Sequence, residues 1–138
     1  MAVNVPPRSP SFGIALRRAL RLRCPLCGIS PVFISFRRVR SLDDWLHPLD
    51  GCPRCGYAYE REEGYFLLAI WGLNFGVVSV LSLSTAWLLD ALFGLTVWQV
   101  ILCVVPPMPL ISVGLARHAK SLWLAIDHYF DPHVKANR

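Results

Sequence analysis

The stretch YFLLAIWGLNFGVVSVLSLSTAWLLDALFGLTVWQVILCVVPPMPLISVGLA, residues 65–116, holds one charged side chain, Asp90, in 52 positions. A charge at the centre of a bilayer costs about 3 kcal/mol, so a run this long and this free of charge reads as two membrane-spanning helices joined by a short turn. The first span is expected at about residues 65–89, roughly 37 Å of helix against a hydrocarbon core of about 30 Å, which fits with some tilt. The turn follows at residues 93–96, and the second span is expected at about 95–115. Pro106, Pro107 and Pro109 fall within it, and because proline has no N–H and clashes with the preceding turn, a kink or break is expected there. A buried hairpin inside a soluble domain fails on size, since the rest of a 138-residue chain is too short to wrap two helices that are apolar on every side.

Working outward, the cationic residues fix an expected orientation. Ten of the 14 Lys and Arg lie in residues 1–64 and four in the tail from Arg117, with none at the turn beside Asp90, so both ends are expected in the cytoplasm. The early apolar residues 12–22 are interrupted by Arg17, Arg18 and Arg21, too polar for the core of a signal peptide. The net charge of +5 follows from the same residues and points to topology and anionic headgroups before nucleic acid.

Ahead of the hairpin, Cys24-Pro25-Leu26-Cys27-Gly28 and Cys52-Pro53-Arg54-Cys55-Gly56 form two C-x-x-C knuckles separated by 24 residues. Each knuckle holds two thiolates at the angle a tetrahedral Zn²⁺ requires, and the glycine after the second cysteine accepts the left-handed turn. Four thiolates close the tetrahedron, so Cys24, Cys27, Cys52 and Cys55 read as a structural zinc ribbon over residues 24–64, with no catalytic role. A strand is expected at residues 32–36 and a loop at 37–51. Paired disulfides need an oxidising compartment, which the charge count argues against, and the single-motif context of a redox C-x-x-C is missing. Residues 24–64 contain few large apolar groups, so metal binding is expected to supply the folding free energy of the head.

The flanks read as amphipathic helices. Residues 1–23 form a basic N-terminal segment in which Ser11 can cap a helix through Leu22, with Phe12, Ala15, Leu16, Ala19, Leu20 and Leu22 on one side and Arg17, Arg18 and Arg21 on the other, lying at the headgroup level. Residues 117–138 hold a tail helix ending at Pro132, its Trp123 and Tyr129 suited to the membrane interface. Exposed ion pairs are expected between Arg117 and Lys120 and the acidic linker at residues 60–64, and between Asp127 and Asp131 and the basic ribbon or Arg17, Arg18 and Arg21, with burial of Leu122, Trp123 and Ile126 dominating.

Arg23-Cys24-Pro25-Leu26-Cys27-Gly28, the second knuckle, Glu63-Gly64-Tyr65-Phe66-Leu67 leading into the first span, and the closing Leu122-Trp123-Leu124-Ala125-Ile126-Asp127 and Phe130-Asp131-Pro132 resemble the bacterial family of domain of unknown function 983, over about residues 14–132. The resemblance implies a small multi-pass inner-membrane protein with a cytoplasmic zinc ribbon and no settled activity. Some relatives have genes near those for haem-copper oxidase subunits and their assembly factors, which implies that class of membrane complex as a partner. A histidine that many members carry in the first span is replaced here by Leu73-Asn74, so no role attached to it transfers.

Asn74 itself lies inside the expected bilayer and reads as interhelical glue, bonded to Gln99 or to carbonyls freed by Pro106 and Pro107. Gly72 and Gly76 flank it in a small-xxx-small pattern that lets another helix, the second span or a partner's, approach closely. Asp127 and Asp131 are four apart and read as solvated or paired carboxylates before a cation site. No nucleophile, phosphate loop or carboxylate pair forms an enzyme constellation. The expected function is an accessory or assembly factor for a larger inner-membrane complex. The alternative, a membrane-tethered nucleic-acid binder using Arg37, Arg38, Arg40 and Arg54, is opposed by the carboxylates of the same head and by the lack of a stacking platform.

Overall fold

The computed structural model describes residues 10–60 and 64–131. The expected acidic linker at residues 61–63 and the end of the tail from residue 132 lie outside them. Among the described residues there are five α-helices, α1 (Phe12–Leu20), α2 (Leu42–Leu46), α3 (Phe75–Phe93), α4 (Val97–Val104) and α5 (Pro107–Phe130), with a 3-10 turn at Phe36–Arg38 and a π-helical turn at Ala69–Asn74.

Two helical rods, Ala69–Phe93 and Val97–Phe130, are long and apolar enough to cross a membrane, and 6% of the most apolar window of each is buried within the protein. The first starts four residues later than expected and runs four further, so Asp90 sits in its last turn. Gly94 ends it in the left-handed region (φ +58°), its N–H bonded to Asp90 O at 2.8 Å. Thr96 starts α4 with a capping box in which Gln99 Oε1 accepts from the Thr96 amide at 2.9 Å. The predicted break falls between α4 and α5. Pro106, Pro107 and Pro109 occupy the N-cap, first and third positions of α5, where a helix has no donors to lose, and α5 then continues without interruption into the tail.

The π-helical turn is a departure from the expected regular helix. Ala69 and Asn74, five apart, are both buried. In an α-helix they would point about 140° apart, and the wider turn brings them to one face.

The head has no regular strand among the described residues, which corrects the reading of residues 32–36. It is held by isolated antiparallel bridges, Arg23 with Pro31, Phe33 with Pro48 and Gly51 with Ala58. Pro31 and Pro48 have no N–H to extend a ladder, so the first two bridges stay single. The expected loop over residues 37–51 contains α2, started by a capping box in which Ser41 Oγ accepts from the Asp44 amide at 3.0 Å and Asp44 Oδ2 accepts from the Ser41 amide at 3.2 Å.

The core of the head borrows residues from both rods. Cys24, Leu26, Val32, Phe33, Cys52, Tyr57 and Tyr59 pack with Phe66 and Ala69 from the start of the first rod and with Leu124 of α5. On the other side of α5, Ala15 and Ala19 of α1 meet Ala125 and Leu122, and Ser121 Oγ donates to Ala19 O at 2.8 Å. Small residues let these two helices approach closely, so α1 packs through its alanines while Phe12, Ile14 and Leu20 stay exposed.

Candidate metal centre and its coupling to the hairpin

Each knuckle is built by the same local bonds. In the first, the Cys24 amide donates to Ser30 O and the Gly28 amide to Cys24 O, both at 2.8 Å; in the second, the Cys52 amide donates to Tyr57 O at 2.8 Å and the Gly56 amide to Cys52 O at 2.9 Å. Gly28 (φ +74°) and Gly56 (φ +70°) take the left-handed turn that the motif requires. The four sulfurs Cys24, Cys27, Cys52 and Cys55 lie within 4.8 Å of one another, and the closest pairs cross between knuckles, Cys24 to Cys55 at 3.7 Å and Cys27 to Cys52 at 3.5 Å. Four cysteines so placed can hold one metal ion.

Their electrostatics favour a cation at the centre. Burial pushes the Cys24 thiol up to about 11, and burial, with the neighbouring charge of Cys24, pushes Cys55 up as well. Cys52 moves the other way, to about 6: burial opposes its ionisation too, but the Ser30 hydroxyl and the amides of Cys55 and Arg54 donate to its sulfur and outweigh it. One thiolate is thus stabilised by the protein alone, whereas further thiolates at this spacing need a positive ion between them. Tyr59 is fully buried beside them, its hydroxyl donating to Pro31 O at 3.3 Å.

The coupling of head to hairpin runs through backbone carbonyls as well as charge: Lys120 is within electrostatic reach of Glu60 and Asp43, and residues 61–63 of the expected acidic partner lie outside the described residues. Arg117, 2% exposed, donates from Nε to Trp45 O at 2.7 Å, from Nη1 to Ile34 O at 3.2 Å and from Nη2 to Asp44 O at 3.2 Å. Its guanidinium carbon also lies 4.1, 5.2 and 5.3 Å from the ring centres of Trp45, Phe36 and Phe33. Lys120 Nζ donates to Leu46 O at 2.9 Å and sits 4.9 Å from the Phe66 ring centre. These two cations therefore fasten the end of α2 to α5 through carbonyls. In the other direction, Trp45 Nε1 donates to Val113 O at 2.8 Å, one turn before Arg117. Asp127 accepts from the Tyr65 hydroxyl rather than from an α1 arginine, and Asp131 ends α5 through its amide, bonded to Asp127 O at 2.8 Å. Trp123, expected at the membrane interface, packs in part against the core of the head, 6.5 Å from Tyr65 between ring centres.

Inside the hairpin, Asn74 is buried as expected but its partner is different. Its Nδ2 donates to Ser112 Oγ at 2.9 Å and Ser112 O at 3.1 Å, while Gln99 is occupied in the capping box at the far end of the rod. Gly72 and Gly76 are not where the second rod comes close, since within the chain a Cβ at either would meet nothing within 4 Å, which leaves the partner-helix alternative of that reading. Sequence reasoning missed Arg18, whose Nη1 donates to Leu26 O at 2.7 Å and Pro25 O at 3.2 Å of the first knuckle. It also missed Trp45, which had no periodic pattern to mark it.

Neither the curated proteins nor the solved structures include a match to this chain. The model of a family described as a protein of unknown function, DUF983, matches residues 42–128, from α2 through the second knuckle and the hairpin to the last turn of α5. The chain therefore belongs to the DUF983 family.

Proposed function

We propose that this protein is a non-enzymatic, membrane-anchored zinc ribbon that serves as an accessory or assembly factor for a larger membrane complex, with both termini on the cytoplasmic side of a bacterial inner membrane. The observation that carries the reading is the clamp of Arg117, Lys120 and Trp45: a small metal-binding head is fastened to the base of an apolar hairpin by the same helix that forms its second rod. Such a head is held at a fixed height and orientation, which suits docking to a neighbouring membrane protein better than reaching for a soluble ligand. Support for the anchor comes from the exposed aromatic and aliphatic surface of the rods, including Trp71, Trp87 and Trp98 at 70, 72 and 76% exposure, a surface that lipid would cover.

Support for zinc comes from the donor set and its size. A tetrahedral ion with Zn–S bonds of about 2.3 Å sets sulfur–sulfur edges of about 3.8 Å, close to the observed 3.5 and 3.7 Å. Four thiolates leave no open coordination position, so the metal's role is to hold the two knuckles together. Haem-copper oxidase assembly is the partner class that the sequence resemblance implies.

Co-purification from gently solubilised membranes tests the function: subunits of one membrane complex should be recovered with the tagged protein, and recovery alone in several mild detergents, with membrane complexes unaltered on deletion, would refute it. Reporter fusions at both termini should be cytoplasmic and one after Phe93 periplasmic.

A further inference from the structure

A pocket of about 330 Å³ opens where α5 leaves the apolar hairpin and enters the head. Arg21 and Arg23, on the segment after α1, form one wall; Phe33, Ile34 and Phe36 form another; and Arg117 lies at its side. Arg117 is buried with three carbonyls and three aromatic faces around it, none of which carries a compensating charge. Arg21 and Arg23 are exposed. Among the described residues no carboxylate lines the pocket, and the one ion pair, between His47 and Asp43, involves none of these arginines. A buried cation held only by neutral dipoles, next to two exposed ones of which Arg23 bonds only the neutral Ile29 carbonyl, leaves positive potential at the open side of the pocket.

The height of the pocket identifies its ligand. Trp45 bonds to Val113 O, and Arg117 follows one turn later, about 6 Å along the helix, so the pocket sits at the level where the apolar segment ends. Phe36, in its lining, is 65% exposed. Cationic groups and an apolar surface lining one pocket at that level match a phosphate together with the start of its acyl chains. We propose that this pocket binds the headgroup of one anionic glycerophospholipid, its phosphate against Arg21 and Arg23 and its upper acyl chain against Ile34 and Phe36. The inference rests on the membrane-spanning reading proposed above.

Native mass spectrometry of the full chain in mild detergent, titrated with phosphatidylglycerol or phosphatidylcholine, tests it. One phosphatidylglycerol should be retained per chain in preference to phosphatidylcholine, and R21Q/R23Q should weaken that retention by about tenfold or more, since each cation interacts with the phosphate. R17Q/R40Q, an equal change of charge at exposed positions outside the pocket and the knuckles, should leave it intact. Equal loss in both double variants, or equal retention of the two lipids, would overturn the site in favour of diffuse attraction. The same spectra report bound metal. Should R21Q/R23Q lose it, Arg21→Glu alone, which keeps the Arg23 bond to Ile29 O, takes its place; undiminished phosphatidylglycerol preference in that variant would overturn the proposal. Inorganic phosphate at millimolar concentration should not displace the lipid, and displacement would overturn the lipid assignment in favour of a soluble anion. Carbonate extraction separates the two readings: a chain released by carbonate refutes the membrane span, whereas a chain that stays in the membrane yet shows no lipid preference refutes only the pocket.

Discussion

Replacing Arg117 by Met keeps the length and apolar stem of the side chain and removes the guanidinium. Three carbonyls, those of Ile34, Asp44 and Trp45, lose their donor, and three ring faces lose their cation. At about 1 kcal/mol for each net hydrogen bond and about 1–2 kcal/mol for the ring contacts together, the loss is about 4–5 kcal/mol. Removing a buried charge returns part of its desolvation cost, and we expect a net loss of about 3 kcal/mol, about a hundredfold in the equilibrium for opening α2 away from α5. Hydrogen exchange of the full protein in detergent measures this directly, because the His47 amide is bonded to Asp43 O at 2.8 Å at the end of α2. Exchange across residues 42–47 should accelerate in Arg117→Met while the metal content stays unchanged, since no sulfur is touched. Arg117→Lys should fall between, because a single ammonium replaces a planar fork that serves three acceptors at once. Unchanged exchange in Arg117→Met, with metal retained, would mean that the clamp does not hold the head and that the rigid-platform argument is wrong.

Cys52→Ser removes one of four ligands and should forfeit much of the about 10 kcal/mol or more that a structural zinc contributes; metal analysis should find the ion lost and limited proteolysis should find the head newly cleavable, while a resistant, metal-free head would contradict a metal-dependent fold. Asn74→Leu removes both bonds to Ser112 and should lower stability in detergent by about 0.6–1.7 kcal/mol, with Ser112→Ala, which removes only the hydroxyl partner, costing less; an equal or greater loss in Ser112→Ala would refute the assignment. Gly28→Ala and Gly56→Ala both place a Cβ in the left-handed region, at about 1–2 kcal/mol each, but only at Gly28 does that Cβ meet Arg18 Nε, at 2.7 Å. Metal release to a chelator should therefore be faster in Gly28→Ala than in Gly56→Ala, and equal rates would show that Arg18 does not support the knuckle.

The parts of this molecule that could be read from sequence are those set by local chemistry: two knuckles whose ligands sit three apart, and a hairpin whose composition excludes charge. The parts that could not be read depend on which groups meet in three dimensions. Arg117 and Lys120 were read as surface cations seeking carboxylates, because nothing in their spacing reveals that the carbonyls at the end of α2 converge on them. The pairing of Asn74 with Ser112 rather than Gln99 is a matter of depth, since Gln99 lies one turn from the hairpin bend and Ser112 near its base. The expected strand at residues 32–36 has apolar, branched residues, yet Pro48, which faces it at Phe33, cannot donate. The tail helix was expected to pack against the head through Leu122, Trp123 and Ile126, whereas Phe66, Ala69 and Leu124 close the core around the cysteines, a set that no local pattern marks.

The π-helical turn at Ala69–Asn74 also bears on how the chain tolerates a change in its length. A helix widened by one residue can lose one without disturbing what lies on either side. Omitting Trp71, which is 70% exposed, would bring Ala69 and Asn74 to a four-residue separation, the spacing that puts them on one face of an ordinary α-helix. Ala69 would still reach the head and Asn74 would still reach Ser112. Within α3, beyond Phe75, the same omission would rotate every later side chain of the rod by about 100°, turning Val78 away from its buried position. The first rod thus contains one short segment in which natural single-residue deletions can be absorbed, placed between the metal-binding half of the protein and its apolar half.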